Sequence, residues 1–139
     1  MAFGPNPPPI QVHLCVKGGV NAIAFYERAF GGACTYKQMA DDGVRVLHAN
    51  VELFGGEIML HDEFPEHGGS VHAPDHRTTF AINVNVRAPA EVDAAVKRAA
   101  DAGATVTTAP ADMFWGARYG RVRDPFGHVW AFNAPLKTS

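Results

Sequence analysis

Two stretches of the chain resemble each other and decide the fold: residues 24–33, AFYERAFGGA, and residues 94–104, AAVKRAADAGA. In both, apolar residues recur at helical spacing and glycine ends the run, with Arg28-Ala29 matching Arg98-Ala99 after one insertion. Farther along each half, Phe54-Gly55 matches Phe126-Gly127 ahead of a last alternating segment. These matches indicate an internal duplication of a β-α-β-β-β module.

The segments around these matches alternate apolar and polar residues, which is typical of strands buried on one face. In the first half we predict strands at 11–16, 33–39, 44–54 and 57–61 around a helix at 20–30. In the second half we predict strands at 78–86, 104–108, 117–123 and 128–133 around a helix that starts near Pro89 and ends at Gly103. The fold class is α+β: two tandem βαβββ modules forming a cupped mixed β-sheet, with the helices on its outer face.

A length of 139 residues predicts one domain. Closely spaced prolines exclude helix or sheet in an extended arm at 1–9. We predict a single domain at 10–134, with modules 10–62 and 77–134, a loop at 62–77 and a tail at 135–139. The loop contains acids and three histidines (His67, His72 and His76) without any period, which favours a mobile lid over a metal site.

Composition excludes several classes of protein. Twelve Lys and Arg against fourteen Asp and Glu give a net charge of −2, which disfavours nucleic acid as a partner. The two cysteines, Cys15 and Cys34, are too few for a disulfide framework. No apolar run is long enough to span a bilayer, and the N-terminus lacks an export signal, so we predict a cytoplasmic protein without membrane partners.

The strand faces opposite the helices are expected to line a shared concavity. In strand 44–54, the face packed against the helix is assigned to Leu47, Ala49, Val51 and Leu53. The lining residues are then Gln11, His13, Cys15, His48, Asn50, Glu52, Glu57, Met59, His61, Thr79, Ala81, Asn83, Asn85, Val129, Ala131 and Asn133. This mixed lining suits a small polar or amphipathic ligand, although a merely solvated sheet face is the alternative, and the favoured one for Glu52 and Glu57.

Three motifs resemble the vicinal oxygen chelate superfamily, which includes glyoxalase I, extradiol dioxygenases, fosfomycin resistance enzymes and bleomycin-binding proteins. They are Ile23-x-Phe25-Tyr26-x-x-Ala29-Phe30-Gly31, the turn Phe54-Gly55-Gly56, and Phe114-Trp115-Gly116-x-Arg118-x-Gly120-x-Val122-x-Asp124-Pro125-x-Gly127-His128. The last motif is most similar to the PhnB-like branch. The resemblance covers nearly all of residues 10–134 and implies the fold, but one fold carries many functions.

The resemblance also implies where a metal would bind, because metal-dependent members hold a divalent cation with His and Glu on the first and last strand of each module. Those positions fall here on Gln11, Met59, Thr79 and Ala131. Alanine cannot coordinate, a thioether is a poor ligand for hard cations, and a Gln carbonyl or Thr hydroxyl adds no charge. We therefore favour no metal cofactor.

A displaced site is the alternative, in which His13, His48 and His61 are catalytic residues. Three histidines with one open position suit zinc, and nickel, iron or manganese are also considered. The same histidines could instead act as general acids and bases without a metal, or could simply orient a ligand.

Further residues are candidates for ligand binding. On the strand faces these are Gln11, His13, Asn50, Met59, Thr79 and Asn83. Phe64 is a candidate apolar latch of the lid, Trp115 could stack on a planar ligand, and Arg118 could pair with an anionic group. The alternatives are that Trp115 packs over the module edge, and that Arg118 caps a turn or pairs with Asp124.

Two functions follow. The first is a small-molecule-binding protein of the glyoxalase/bleomycin-resistance type without the usual metal centre. The second is a lyase, isomerase or dioxygenase that uses the histidines. In either case we expect a homodimer, because open sheets leave edges that a partner covers, and the arm at 1–9 could wrap the neighbouring subunit.

Overall fold

The computed structural model describes residues 7–69 and 71–137. The order is β1 (His13–Val16), α1 (Gly19–Phe30), β2 (Ala33–Met39), β3 (Val46–Leu53) and β4 (Gly56–Asp62), then β5 (Ala81–Asn85), α2 (Pro89–Ala102), β6 (Thr105–Asp112), β7 (Ala117–Arg123) and β8 (Val129–Pro135). This order confirms a duplicated β-α-β-β-β module. Most of the predicted arm at 1–9 lies outside the described residues, as do positions 138 and 139 of the tail.

The chain divides into two compact units, residues 1–74 and 75–139. Each contains a four-stranded mixed sheet, with strand orders β1-β4-β3-β2 and β5-β8-β7-β6. In each sheet the first strand pairs in parallel with the last, and the other neighbours are antiparallel. The α+β class is confirmed.

Each helix packs on one face of its own sheet. Helix α1 contacts β2, β3 and β4, and α2 contacts β6, β7 and β8. Helix α1 ends at Gly31, whose φ of 68° suits glycine and whose N–H bonds the Tyr26 carbonyl. A Cβ at Gly19 would lie 2.7 Å from both Val46 and Asp62, so glycine permits the close approach of α1 to the sheet. Within the described residues, neither helix has the length and hydropathy that crossing a bilayer requires.

One predicted face of β3 is wrong. Leu47 is 44% exposed, whereas Val46 is buried with Ala49, Val51 and Leu53. The cause is a β-bulge opposite Gln38–Met39, where the register moves from His48 to Val46. Because an extra residue shifts the alternation by one position, Val46 and Val51 both face α1.

The predicted strand 78–86 is too long, since β5 begins at Ala81. Its partner strand β8 starts at Val129, which is paired with Ala81. Residues before Ala81 therefore have no residue of β8 to pair with. Thr79 therefore precedes the sheet instead of lying in it. Strand β6 is longer than predicted, because an edge strand accommodates Pro110 at a register shift.

Candidate functional site

The open face of the first sheet, on the side away from α1, carries the predicted histidines. The register aligns His13 with Met59, Met59 with Asn50, and Asn50 with Tyr36, so these four side chains form one row across the sheet. The neighbouring row contains His61, opposite Cys15, and His48, opposite Gln38. We call His13, Tyr36, His48, Asn50, Met59 and His61 the histidine face.

The three imidazole rings meet on this face. The ring centroid of His13 lies 4.7 Å from that of His61 at an interplanar angle of 86°, and 5.7 Å from that of His48 at 78°. Both contacts are edge-to-face, a favourable arrangement for aromatic rings. The structure therefore brings together the three residues that the sequence named as catalytic candidates.

Two of the rings are oriented by hydrogen bonds. His61 Nδ1 lies 2.6 Å from the Asp62 carbonyl, which can only accept, so Nδ1 carries the proton and Nε2 of the neutral ring is an acceptor. His48 Nε2 lies 2.6 Å from Asn50 Oδ1, and Asn50 is itself buried. These bonds fix the ring positions without using His13.

Burial lowers the pKa of His13, and the positive charges that His61 and His48 carry when protonated lower it further. Since the ordinary value is 6.5, His13 is predominantly neutral at pH 7. A neutral imidazole can accept a proton or a hydrogen bond from a ligand. The histidine face therefore offers a base flanked by two further imidazoles.

The positions that the resemblance assigns to a metal do not fit one. Gln11 Nε2 donates to Glu57 Oε1 at 2.9 Å, Met59 offers only a thioether, and Ala131 has no donor atom. Thr79 lies outside β5, and Asn83 rather than Thr79 is opposite Ala131. Likewise His13, not Gln11, is opposite Met59.

The displaced ligand set is not formed either. Across residues 7–69 and 71–137, no three His, Cys, Asp or Glu side chains are grouped as ligands for a metal ion. The ring of His13 instead contacts those of His61 and His48 edge to face.

Asp62 supports the histidine face and was missed by the sequence analysis, which placed it in the loop. Its carboxylate accepts the backbone N–H groups of Gly18 at 2.7 Å, Gly19 at 3.0 Å and Val46 at 2.7 Å. It is 4% exposed and ties the end of β4 to the starts of α1 and β3. The detectable signal was its alternation with Ile58 and Leu60, which places a carboxylate on the buried face.

Arg45 holds the start of the predicted lid. Its guanidinium bonds Glu66 at 2.7 Å and Asp42 at 2.7 Å, and lies 4.3 Å from the ring centroid of Phe64. The backbone N–H of Arg45, and after it the guanidinium, lower the pKa of Asp42 to about 2, and the guanidinium lowers the pKa of Glu66 to about 2. The proposed latch Phe64 thus stacks on Arg45 in this structure, beside a short 3-10 helix at Pro65–His67.

Cys15 is a buried thiol. Burial raises its pKa to about 11, with further contributions from the carboxylates of Glu63 and Asp62. Although it shares a row with His61, the thiol stays protonated at pH 7. A protonated, buried thiol is a poor nucleophile.

Arg118 lies away from the open face of the second sheet. It alternates with Gly120, whose added Cβ would meet Val96 of α2 at 3.1 Å, so both residues are on the helix side. Its guanidinium bonds Asp93 through two hydrogen bonds, at 2.7 and 2.8 Å, and Asp112 through one at 3.0 Å.

The alternative in which Arg118 pairs with Asp124 is therefore wrong. The Asp124 carboxylate accepts from Trp130 Nε1 at 2.9 Å and from the backbone N–H groups of Phe126 and His128. Asp124 is buried beneath the turn that joins β7 to β8, where these donors surround its carboxylate.

The other candidates of the second unit are on its open face. Asn83 donates to Asn85 Oδ1 at 2.9 Å. Trp115 is half-exposed, donates from Nε1 to Asn133 Oδ1 at 3.3 Å, and contacts Tyr119 edge to face at 5.4 Å. Its ring thus packs at the end of the second sheet and keeps one surface accessible.

Comparison with known proteins gives a consistent result. A family model described as the Glyoxalase/Bleomycin resistance protein/Dioxygenase superfamily matches residues 10–132. The uncharacterised protein Mb0911c of Mycobacterium bovis is 37% identical over 131 residues, covering 94% of this chain and 85% of that protein. Among solved structures, TioX from Micromonospora sp. ML1 is 26% identical, with a TM-score of 0.68 over 95% of this chain and 99% of that one.

A PhnB protein from Bacillus cereus, described as a putative 3-demethylubiquinone-9 3-methyltransferase, has a TM-score of 0.71 at 19% identity. It covers 91% of this chain and 99% of its own. At this identity the likeness concerns the fold, and it agrees with the PhnB-like resemblance of the motif at 114–128.

Proposed function

The chain belongs to the Glyoxalase/Bleomycin resistance protein/Dioxygenase superfamily, and from this premise we propose that its histidine face binds a small organic molecule without a metal ion. The observation that carries the proposal is the meeting of three imidazoles around a neutral His13 on an open sheet face. A merely solvated sheet face gives no reason for a partly desolvated His13 to contact two further imidazoles.

The ligand class follows from the groups that this face offers. Neutral His13 and the Nε2 atom of His61 are acceptors, so the ligand carries hydrogen-bond donors such as hydroxyl or amide groups. Met59 lies in the same row as His13 and offers an apolar, polarisable contact. We therefore expect an amphipathic molecule with at least one donor group.

Binding can be tested by thermal unfolding against a panel of small amphipathic compounds. A compound present at 100 times its Kd stabilises the native state by about 2.7 kcal/mol and raises the melting temperature. We expect His13→Ala to abolish the rise, and His76→Ala, which alters an exposed histidine of the second unit, to retain it. An equal rise in both variants contradicts the assignment of the site.

Metal analysis tests the second half of the proposal. We expect the purified, dialysed protein to hold no stoichiometric zinc, nickel, iron or manganese, because the donor set does not suit these ions. Stoichiometric metal that is lost in His13→Ala overturns the metal-free interpretation and establishes the displaced site.

Acid–base catalysis at the same face is the second candidate function, and the lowered pKa of His13 favours it. Transfer of a ligand proton to neutral His13, and its return from His13 to another atom of the same ligand, is an isomerisation that requires no co-reactant. The test is deuterium exchange from solvent into a bound compound, followed by NMR. We expect exchange in the parent protein, none in His13→Gln, and normal exchange in His76→Gln.

We also propose a cytoplasmic homodimer. The support is the pair of edge strands that each sheet presents, β1 and β2 in the first and β5 and β6 in the second. Sedimentation equilibrium is expected to give twice the monomer mass of 14.9 kDa. A mass that stays monomeric at all protein concentrations contradicts the dimer.

A further inference from the structure

The second unit contains a cavity of about 540 Å³, separate from the histidine face. It lies at the end of the second sheet where β5 and β8 begin and β7 ends. Its lining is rich in arginine and threonine, and comprises Arg77, Thr78, Thr79, Phe80, Ala81, Thr107, Thr108, Arg121, Arg123 and Val129.

The register explains how two of the arginines reach one surface. Arg121 and Arg123 alternate with Gly120 and Val122, which are buried on the α2 side, so both point to the open face. Their neighbours across the sheet are small: Ala131 is opposite Arg121, and Val129 is opposite Arg123. Small neighbours leave room above the sheet between the guanidinium groups.

The charge of this cavity is not balanced by the protein. Within the described residues, Arg77, Arg121 and Arg123 form no ion pair with a carboxylate. In contrast, Arg45 and Arg118 each bond two carboxylates. Three cations that share a cavity without a counter-charge repel one another, in a chain whose net charge is −2.

Two hydrogen-bonding details describe the Nε atoms of Arg123 and Arg121, two of the arginines that line this cavity. The Nε atom of Arg123 is shielded from solvent and has no hydrogen-bond partner in the described part of the protein. Arg121 donates Nε to the Tyr119 hydroxyl at 2.6 Å, which fixes its guanidinium over the open face. Since Nε is shielded, a ligand in the cavity would bond the terminal nitrogens of the Arg123 guanidinium.

We propose that this cavity binds the oxyanion group of a small phosphomonoester. A tetrahedral dianion balances most of the positive charge and accepts from several guanidinium and hydroxyl donors at once. The threonines add neutral donors around the same volume. The cavity is larger than one phosphate, and Phe80, which is 53% exposed at its rim, offers a surface for the organic part of the ligand.

The first experiment uses inorganic phosphate as the probe, with sodium chloride at matched ionic strength as the salt control. At ten times its Kd, phosphate is expected to raise the melting temperature by about 4 °C. Arg123→Gln and Arg121→Gln are each expected to weaken phosphate binding about tenfold by calorimetry. Arg87→Gln removes the same charge from the same unit outside the cavity, and is expected to bind phosphate normally.

Equal weakening in all three variants, or equal stabilisation by sodium chloride, overturns the proposal, because either result indicates general charge screening. His13→Ala is expected to bind phosphate normally, since His13 does not line this cavity. Failure of the histidine face and failure of the arginine cavity are therefore separate outcomes.

The second experiment compares phenyl phosphate with inorganic phosphate. We expect tighter binding of phenyl phosphate, and Phe80→Ala is expected to remove this advantage while inorganic phosphate still binds. Equal affinities for the two probes in the parent protein overturn the organic half of the proposal. Benzoate, a planar monoanion, is expected to bind more weakly than phenyl phosphate; tighter binding of benzoate overturns the choice of a phosphate group.

Discussion

The two units share one topology and differ in what their open sheet faces carry. The first presents His13, His48 and His61, and the second presents Arg121 and Arg123 among alanines and asparagines. On the helix side both units bury apolar residues, aliphatic and aromatic. The comparison shows that the residues on the buried strand faces maintain the duplicated fold. The residues on the open strand faces are free to differ, so each copy can carry different chemistry.

A second comparison concerns two buried carboxylates. Asp62 in the first unit and Asp124 in the second both accept backbone N–H groups, but at different places. Asp62 joins the end of one strand to the starts of a helix and another strand, whereas Asp124 stabilises a local turn and the indole of Trp130. Both acids are therefore structural, and the first connects more distant parts of the chain.

Among the variants considered, the largest loss of stability is expected on substitution of Asp62, the first of these two carboxylates. Asp62→Ala leaves three N–H groups without their acceptor near the buried start of α1, and we expect a loss of about 3–5 kcal/mol in the free energy of unfolding. Urea denaturation measures this loss. Asp101→Ala, which removes an exposed ion pair with Lys97, is the matched control and is expected to cost less than about 0.5 kcal/mol.

A cost for Asp62→Ala no larger than that of the control contradicts the structural role. In that case the Asp62 carboxylate is available to bind a ligand, and Asp62 and Asp124 do not differ in the way proposed above.

Asp124→Ala is expected to cost about 2–3 kcal/mol, less than Asp62→Ala. The reason is that the N–H groups of Phe126 and His128 belong to a turn that can rehydrate after a small movement. Fluorescence of Trp130 in a Trp115→Phe background reports the local change, because the indole loses its acceptor. An Asp124→Ala loss greater than that of Asp62→Ala reverses the ranking of the two units.

The pH dependence of stability sharpens the contrast between the open faces. The pKa of His13 is below 6.5 in the folded protein, so the unfolded chain binds a proton more readily. This contribution to stability is complete above pH 6.5 and is lost as pH falls from there through the folded pKa. His13→Gln is expected to reduce the change of the urea midpoint between pH 7 and pH 5. His76→Gln is expected to leave this pH dependence unchanged.

The smallest effect concerns the thiols and leaves stability unaltered. With a pKa of about 11, only on the order of one Cys15 in a thousand is ionised at pH 8. We expect iodoacetamide to modify the partly exposed Cys34 before Cys15. Mass spectrometry of the intact protein measures the two rates. Equal rates in Cys15→Ser and Cys34→Ser variants contradict the burial of Cys15.

Local signals predicted the elements well. Strands β2 and β7 match the predicted residues 33–39 and 117–123, and α1 differs by one residue, because glycine and proline mark these boundaries directly. The prediction failed where a neighbouring strand sets the exposed face or the first residue of an element. A bulge opposite Gln38 and Met39 exposes Leu47, and β5 cannot extend before Ala81 because β8 begins at Val129.

For the candidate site, too, the sequence predicted some features and the pairing of strands decided others. Period two placed His13, His48 and His61 on open faces, but their ring contacts depend on the register of three strands. The same period could have placed Arg121 and Arg123 on the open face of β7, although their lack of carboxylate partners could not be read from it.

The sequence by itself determined the duplicated module, its helices and the residue types on each strand face, because these depend on periodicity and turn preference within a few residues. Only the tertiary structure decided which side chains meet: three imidazoles around His13, Asp62 beneath α1, and Arg118 on Asp93 instead of Asp124. The physical reason is that such contacts join residues distant in sequence, and a shift of one residue in strand register changes every one of them.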